Sequence, residues 1–205
     1  NYGYSESYTE TAKRLEKEVI EKAHEFGAET TNDISLSCCS FSGYMENGRL
    51  RVDFDPFTMG TSINFDNVAT VYFIDLEDYN RITGKNVVLG KGEVLAGVSG
   101  NIPVEDSIGI GDETFKVAKR IDARADDLKY IGLNEIVSTI TLVVDDLGET
   151  ASRYSGLKDS RGDTMLMWQW NFAFDTNLDE DKQEELGKIL SKHIRDDLYP
   201  KQQNY

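Results

Sequence analysis

Asp175, Asn177 and Asp179 stand at alternate positions in the segment FDTNLDEDKQEELGKIL, the spacing of the first three ligands of a calcium loop. Such a loop needs glycine at its sixth position and a bidentate glutamate at its twelfth, where this chain has Glu180 and Leu186. The three residues therefore read as a strand-to-helix turn, with Asp179 as the helix N-cap. Gly109 and Gly111 could open a dinucleotide-binding glycine pattern, but Thr114-Phe115 follows and reads as a strand, where a phosphate site needs a helix. Arg161-Gly162-Asp163 spells an adhesion tripeptide in a loop, a combination of common residues that arises easily by chance. Cys38 and Cys39 are neighbours, a spacing that suits neither a disulfide nor a paired-thiol metal or redox site, so both read as buried thiols in a strand. With two histidines in the chain, His24 reads as a surface or seam residue, and no base stands beside a plausible nucleophile. The carboxylate pairs Asp126-Asp127, Asp145-Asp146 and Asp196-Asp197 read as helix boundaries or solvated faces. One apolar constellation remains. In Leu166 to Phe174, the residues Leu166, Trp168, Trp170, Phe172 and Phe174 share a strand face opposite Gln169 and Asn171. Core packing is the ordinary meaning of such a face, and Trp168 and Trp170 are the candidate ligand contacts if part of it stays uncovered. No catalytic, cofactor-binding or metal-binding set emerges, and no enzyme is expected.

Charge narrows the partners. The chain has 37 acidic and 22 basic residues, a net charge of −15 over 205 residues. A surface this acidic repels phosphate backbones, so nucleic acid is not an expected partner. A cationic partner is favoured at long range, although acidity also simply keeps a domain soluble. The length permits one large domain or two small ones, and no run approaches the ~20 apolar residues of a membrane helix.

These residues need elements to hold them. The organising stretch is Val68 to Leu95, VATVYFIDLEDYNRITGKNVVLGKGEVL. Val68 to Ile74 offers no polar face and predicts a strand covered on both sides. Asp75 supplies an N-cap, Leu76, Tyr79 and Ile82 one face of a short helix, and Gly84 its left-handed end. Gly90 and Gly92 turn the chain into a strand from Glu93 to Leu95. Before this unit, Ser7 and Glu10 suggest a capping box, and Ala12, Leu15, Val19, Ala23 and Phe26 a helical seam from Thr9 to Phe26. The pairs Glu10–Arg14 and Glu18–Lys22 have i,i+4 spacing. Ile34 to Phe41 predicts a strand with one polar face, Asn47-Gly48 a hairpin turn, and 53–67 a loop. After the unit come a hairpin turning at Gly111-Asp112, a central strand from Ile136 to Val144, a polar helix from Asp145-Asp146 to about Tyr154, and the aromatic strand. The last helix starts at Asp179, carries a stripe of Leu186, Ile189, Leu190, Ile194 and Leu198, and stops before Pro200. Gly187 within it suggests close packing. Together these elements imply an α+β fold of mixed, mostly antiparallel sheets with flanking helices on one face.

The Tyr-Phe-Ile strand, the LEDYNRITGK helix and the Gly-Glu-Val-Leu strand together resemble the extracytoplasmic domain of FtsX-like ABC transporter permeases of Gram-positive bacteria. Phe115 to Val117, Leu142 to Asp146 and Phe174 to Leu190 extend the resemblance across Val68 to Ile194. It implies a two-lobed MacB-like domain, with residues 1–67 and 123–205 in one lobe and 68–122 inserted as the other. It also implies a loop between two membrane helices at the extracellular face, with both chain ends on one side of the domain. The implied partners are the protein's own transmembrane segments, a cognate ATPase subunit and, as a possible substrate, a cationic or amphipathic peptide. The family offers no catalytic residues in this domain. The competing expectation is a free-standing secreted binding or adhesion protein.

Overall fold

The computed structural model describes residues 5–52, 64–100, 102–123 and 137–198. The fold is α+β, an eight-stranded mixed sheet with four flanking helices. The elements run α1 (Ser5–Phe26), β1 (Thr30–Glu46), β2 (Arg49–Arg51), β3 (Val68–Asp75), α2 (Leu76–Thr83), β4 (Glu93–Ser99), β5 (Ser107–Ile110), β6 (Glu113–Arg120), β7 (Ser138–Val144), α3 (Leu147–Tyr154), β8 (Met167–Thr176) and α4 (Glu180–Leu198). The strand order is β2-β5-β6-β4-β7-β3-β1-β8, so β3 and β4, consecutive through α2, are separated by β7. The chain divides into two compact units, 36–169 and 1–35 with 170–205. β1 and β8 each have residues in both.

In the 36–169 unit the central strands bury both faces. β3 is buried from Val68 to Ile74, and β7 from Thr139 to Val144. Alternation sends Val71, Phe73, Leu142, Val94 and Phe115 into one layer, closed by Leu147, Ala151 and Tyr154 of α3. Tyr72, Ile74, Val143 and Leu95 enter the other, closed by Leu76 and Tyr79 of α2. The helices of this unit therefore lie on opposite faces of the sheet. This corrects the expectation of helices on one face: strands that are apolar on both sides need cover on both. α3 is also less polar than its sequence suggested, because Leu147, Thr150, Ala151 and Tyr154 recur at helical spacing and are all buried.

β1 departs from its expected polar face as well. Leu36 to Cys39 are buried without interruption, Ser37 included. Asn47-Gly48 forms the expected hairpin turn, with φ of 53° and 75°, and Met45 pairs with Leu50. The first ten residues of the expected 53–67 loop, and its eleventh, lie outside the described residues, and Phe65–Asn67 forms a single 3-10 turn.

In the other unit, Ala12, Leu15, Val19 and Ala23 of α1 are buried as the seam predicted. The helix is already formed at Ser5, ahead of Ser7, so Ser7 is an interior residue and not the cap. Arg14 reaches Glu18 at 2.8 Å, and Glu18 also takes His193 of α4 at 2.8 Å, while Lys22 has no ion pair among the described residues. Just beyond α1 the Glu29 amide donates to Asn177 Oδ1 (2.9 Å), two residues before the Asp179 cap of α4. With Glu18 beside His193 at one level and Glu29 beside Asn177 at the other, α1 and α4 run antiparallel. The start of α1 and the end of α4 therefore point the same way. Leu186 and Leu190 are buried in the seam, but Ile189 is 43% exposed, off the predicted stripe. Gly187 also departs from expectation, since a Cβ built there meets nothing within 4 Å. Among the described residues no helix is long and apolar enough to cross a membrane.

Candidate functional site

The two indoles singled out by the sequence belong to different cores. Trp168 packs, half-buried, against the layer that contains Phe73 and Tyr154. Trp170 packs against Val19, Ala23, Leu186 and Leu190, with its Nε1 donating to Ser35 Oγ at 2.9 Å. Phe172 follows Trp170 at 5.6 Å between ring centroids, and Phe174 follows Phe172 at 5.6 Å. Every residue from Trp168 to Phe174 is half-buried and none is fully enclosed.

Several of the other sequence candidates are engaged by groups of the protein itself. Asp175 Oδ2 accepts from Asn32 Nδ2 (2.8 Å), Asn177 holds the Glu29 amide, and Asp179 Oδ1 caps α4 through the Lys182 amide (3.0 Å). Asn32 has φ of +55° inside β1, a strained value that the Asp175 contact sustains. Burial pushes the Cys38 thiol up to about 12 and raises Cys39 as well, so neither offers a thiolate. Asp159 Oδ1 accepts the amides of Arg161 and Asp163, while the Arg161 guanidinium bonds Asp159 Oδ2, so the Arg-Gly-Asp turn satisfies itself. Gly109 lies under the Arg49 guanidinium, which donates to the Gly111 and Glu113 carbonyls and to Thr114 Oγ1. His24 contacts Thr30 Oγ1 at 3.3 Å. Asp126-Asp127 and the side chains of Asp196-Asp197 lie outside the described residues. Among the described residues no three His, Cys, Asp or Glu side chains converge as a metal site would require.

What the sequence did not point to is the region at the carboxyl ends of β3 and β7. These strands are parallel neighbours, Asp75 pairing with Val144, and the helices that follow them leave to opposite faces. In open sheets that divergence opens a crevice where ligands commonly bind. Here the crevice mouth holds the protein's own anion. Asp75 Oδ1 accepts the Glu77 amide of α2 (2.9 Å) and Oδ2 the Leu147 amide of α3 (3.1 Å). Desolvation raises the Asp75 carboxyl above its usual range despite both bonds.

Beside it, between α3 and the β4–β6 strands, lies a groove of about 370 Å³. Its lining includes the apolar Val94, Phe115 and Val144, with Lys91, Asp145 and Arg153 among its charged members. The antiparallel β4–β7 register, Val94 to Val144, brings together residues fifty positions apart in sequence. Most of the charges are already engaged. Glu93 accepts from the Gly90 amide (2.9 Å) and Lys116 (3.1 Å), which holds its carboxyl below the usual range. Asp146 Oδ1 caps α3 at the Glu149 amide (2.8 Å), and Arg153 joins Glu149 (2.9 Å) and Glu113 (3.6 Å). Among the described residues Asp145 and Lys91 have no hydrogen-bond or ion-pair partner, and they do not pair with each other.

Comparison of the chain with protein-family models, with curated proteins and with solved structures gives no match.

Proposed function

We propose that the chain is the extracytoplasmic domain of an FtsX-like ABC transporter permease, a MacB-like module with no catalytic role. The observation that carries this reading is the antiparallel α1–α4 pair, tied by Glu18 and His193 at 2.8 Å, which directs both outer helix ends the same way. Two membrane helices could be joined to those ends from one side of the domain. The VYFIDLEDYNRITGK and GEVL segments support the same reading by resemblance. In this role the domain stands at the extracellular face of a Gram-positive cell membrane and contacts substrate or a partner protein. It would relay motion driven by ATP hydrolysis in a cognate ATPase subunit. A net charge of −15 favours a cationic or amphipathic peptide as substrate, with the half-exposed Trp168 and Trp170 as its candidate contacts.

The test is to express the whole gene in its own host and fractionate the cells. The reading expects the product in the membrane, released by detergent and not by salt or carbonate, and co-purifying with an ATPase subunit. Release into the medium as a soluble protein would overturn it in favour of a secreted binding or adhesion protein. For the substrate, a basic peptide is titrated at low and high salt against the parent chain and Trp170→Ala. Binding that weakens with salt and with the substitution is expected, and binding indifferent to both removes the peptide.

A further inference from the structure

We infer that the outer edge of β8, over Phe172–Thr176, takes an extended cationic peptide as an added strand. Alternate apolar side chains of the peptide lie against Phe172 and Phe174, and its basic residues lie on the face of Asp175. This deepens the peptide part of the proposed function and rests on it, by saying how such a ligand is held.

The edge itself is the first observation. A strand at the end of a sheet presents a row of backbone N–H and C=O groups on the side away from its one neighbour. β8 is last in the strand order, and β1 is its one strand neighbour among the described residues. Burial agrees. Phe172, Ala173 and Phe174 alternate between faces and are all half-buried, whereas β3, with a strand on either side, is buried from Val68 to Ile74. Soluble proteins blunt such an edge with charge, proline or a bulge. Met167 to Phe174 contains no charged residue, no proline and no glycine. The outer part of β1 is built differently. Beyond its register with β3, which starts at Cys38, it has Asn32 at φ of 55° and the charge of Asp33. That stretch is defended, and β8 is not.

The chemical class follows from what flanks the edge. In strand addition the main-chain bonds supply affinity, and side chains at alternate positions select the ligand. Phe172 and Phe174, 5.6 Å apart, pack on the α1–α4 seam and keep part of each ring wet. Apolar side chains of an added strand would finish covering them. The opposite face carries Asp175, exposed, with Oδ2 accepting from Asn32. Net charge then decides between occupants. A second copy would bring −15 against −15, while a basic peptide is attracted.

The test titrates an end-capped octapeptide of alternating lysine and valine into the whole chain and follows hydrogen exchange of the β8 amides by NMR. An added strand engages only every second residue of the peptide backbone. N-methylation of one alternate set should therefore weaken binding more than tenfold, and of the other set less than about twofold. With peptide bound, alternate amides within Phe172–Thr176 should exchange at least about tenfold more slowly. The glutamate–valine counterpart should bind more weakly at low salt, with the difference shrinking at high salt. Equal effects of the two methylated sets overturn the inference and leave peptide binding itself in place. Absence of saturation by the basic peptide up to about 10 mM removes both the inference and the peptide part of the proposed function. Slowing that follows protein concentration without peptide, with a doubled sedimenting mass, gives the edge to a second copy and overturns the inference as well.

Discussion

The two compact units use the same kinds of residue and enclose them to different depths. In 36–169, Phe41, Phe73, Phe115 and Tyr154 meet at centroid separations of 4.9–6.1 Å, and none is more than 4% exposed. The Tyr154 hydroxyl donates to the Ile110 carbonyl at 2.9 Å, so even its polar end is satisfied inside. In the other unit, Trp170, Phe172 and Phe174 follow one another along β8 and remain half-buried beneath the α1 and α4 seam. The difference is one of cover, since a sheet region with a helix on each face removes its aromatics from water. A β8 aromatic under one pair of helices keeps part of its ring wet. Hydrophobic stabilisation scales with the area removed, so the same ring contributes less in the second setting.

The largest expected effect sharpens that contrast. Phe73→Ala should lower the unfolding free energy by ~3–5 kcal/mol, because it leaves a fully enclosed cavity. Phe172→Ala should cost less than half as much. Urea melts of both variants check this, and equal losses would break the comparison.

A pair of glycines probes packing from the other direction. A Cβ at Gly43 would collide with the Arg51 carbonyl and stand 2.9 Å from Leu50 Cγ, across the β1–β2 pairing. Gly43→Ala should therefore destabilise by ~1–3 kcal/mol, as overpacking does. Gly187→Ala, with open space around it in a helix interior, should stabilise by ~1 kcal/mol. Thermal melts showing the same sign for both would contradict the two packing descriptions.

The smallest effect is electrostatic, and here too the units differ in sign. Glu18 is held below its usual range by hydrogen bonds from Arg14 and His193. Its contribution is present above the unfolded carboxylate value of ~4.3 and is lost as pH falls through the lower folded value. Asp75 and Asp78 are raised by desolvation, so the folded state binds their protons more readily. Their ionisation opposes folding, and that opposition grows from the unfolded value of ~3.9 up through the raised folded ones. Glu18→Gln should cost ~0.2–1 kcal/mol at neutral pH and nothing at low pH, and salt should shrink the loss. Asp78→Asn should flatten the pH dependence between those values. Stability curves against pH for the two variants test the opposite signs.

How much of this could be read in the sequence follows from how local each signal is. β3, the Asp75 cap, the Gly84 end and the Asn47-Gly48 hairpin rest on consecutive residues and were legible. The inner half of β1 was harder, because Ser35 and Ser37 look like a solvated face. Ser35 instead receives the Trp170 indole, and the Ser37 amide faces Asp78 at 3.4 Å, partners that lie far off in sequence. The apolar face of α3 was open to view at 147, 150, 151 and 154, obscured by the charges between them. The groove left no local trace, since Lys91 and Asp145 share it only through the β4–β7 register.

The adjacent thiols give the molecule two built-in clocks. Cys38 lies in the layer under α2 and Cys39 in the layer under α3, each fully enclosed. A labelling reagent reaches either sulfur only when its own layer parts. In the single-thiol variants Cys39→Ser and Cys38→Ser, the rate of labelling under native conditions therefore times the opening of one side of the sheet at a time. One peptide bond separates two independent measurements of how the molecule breathes.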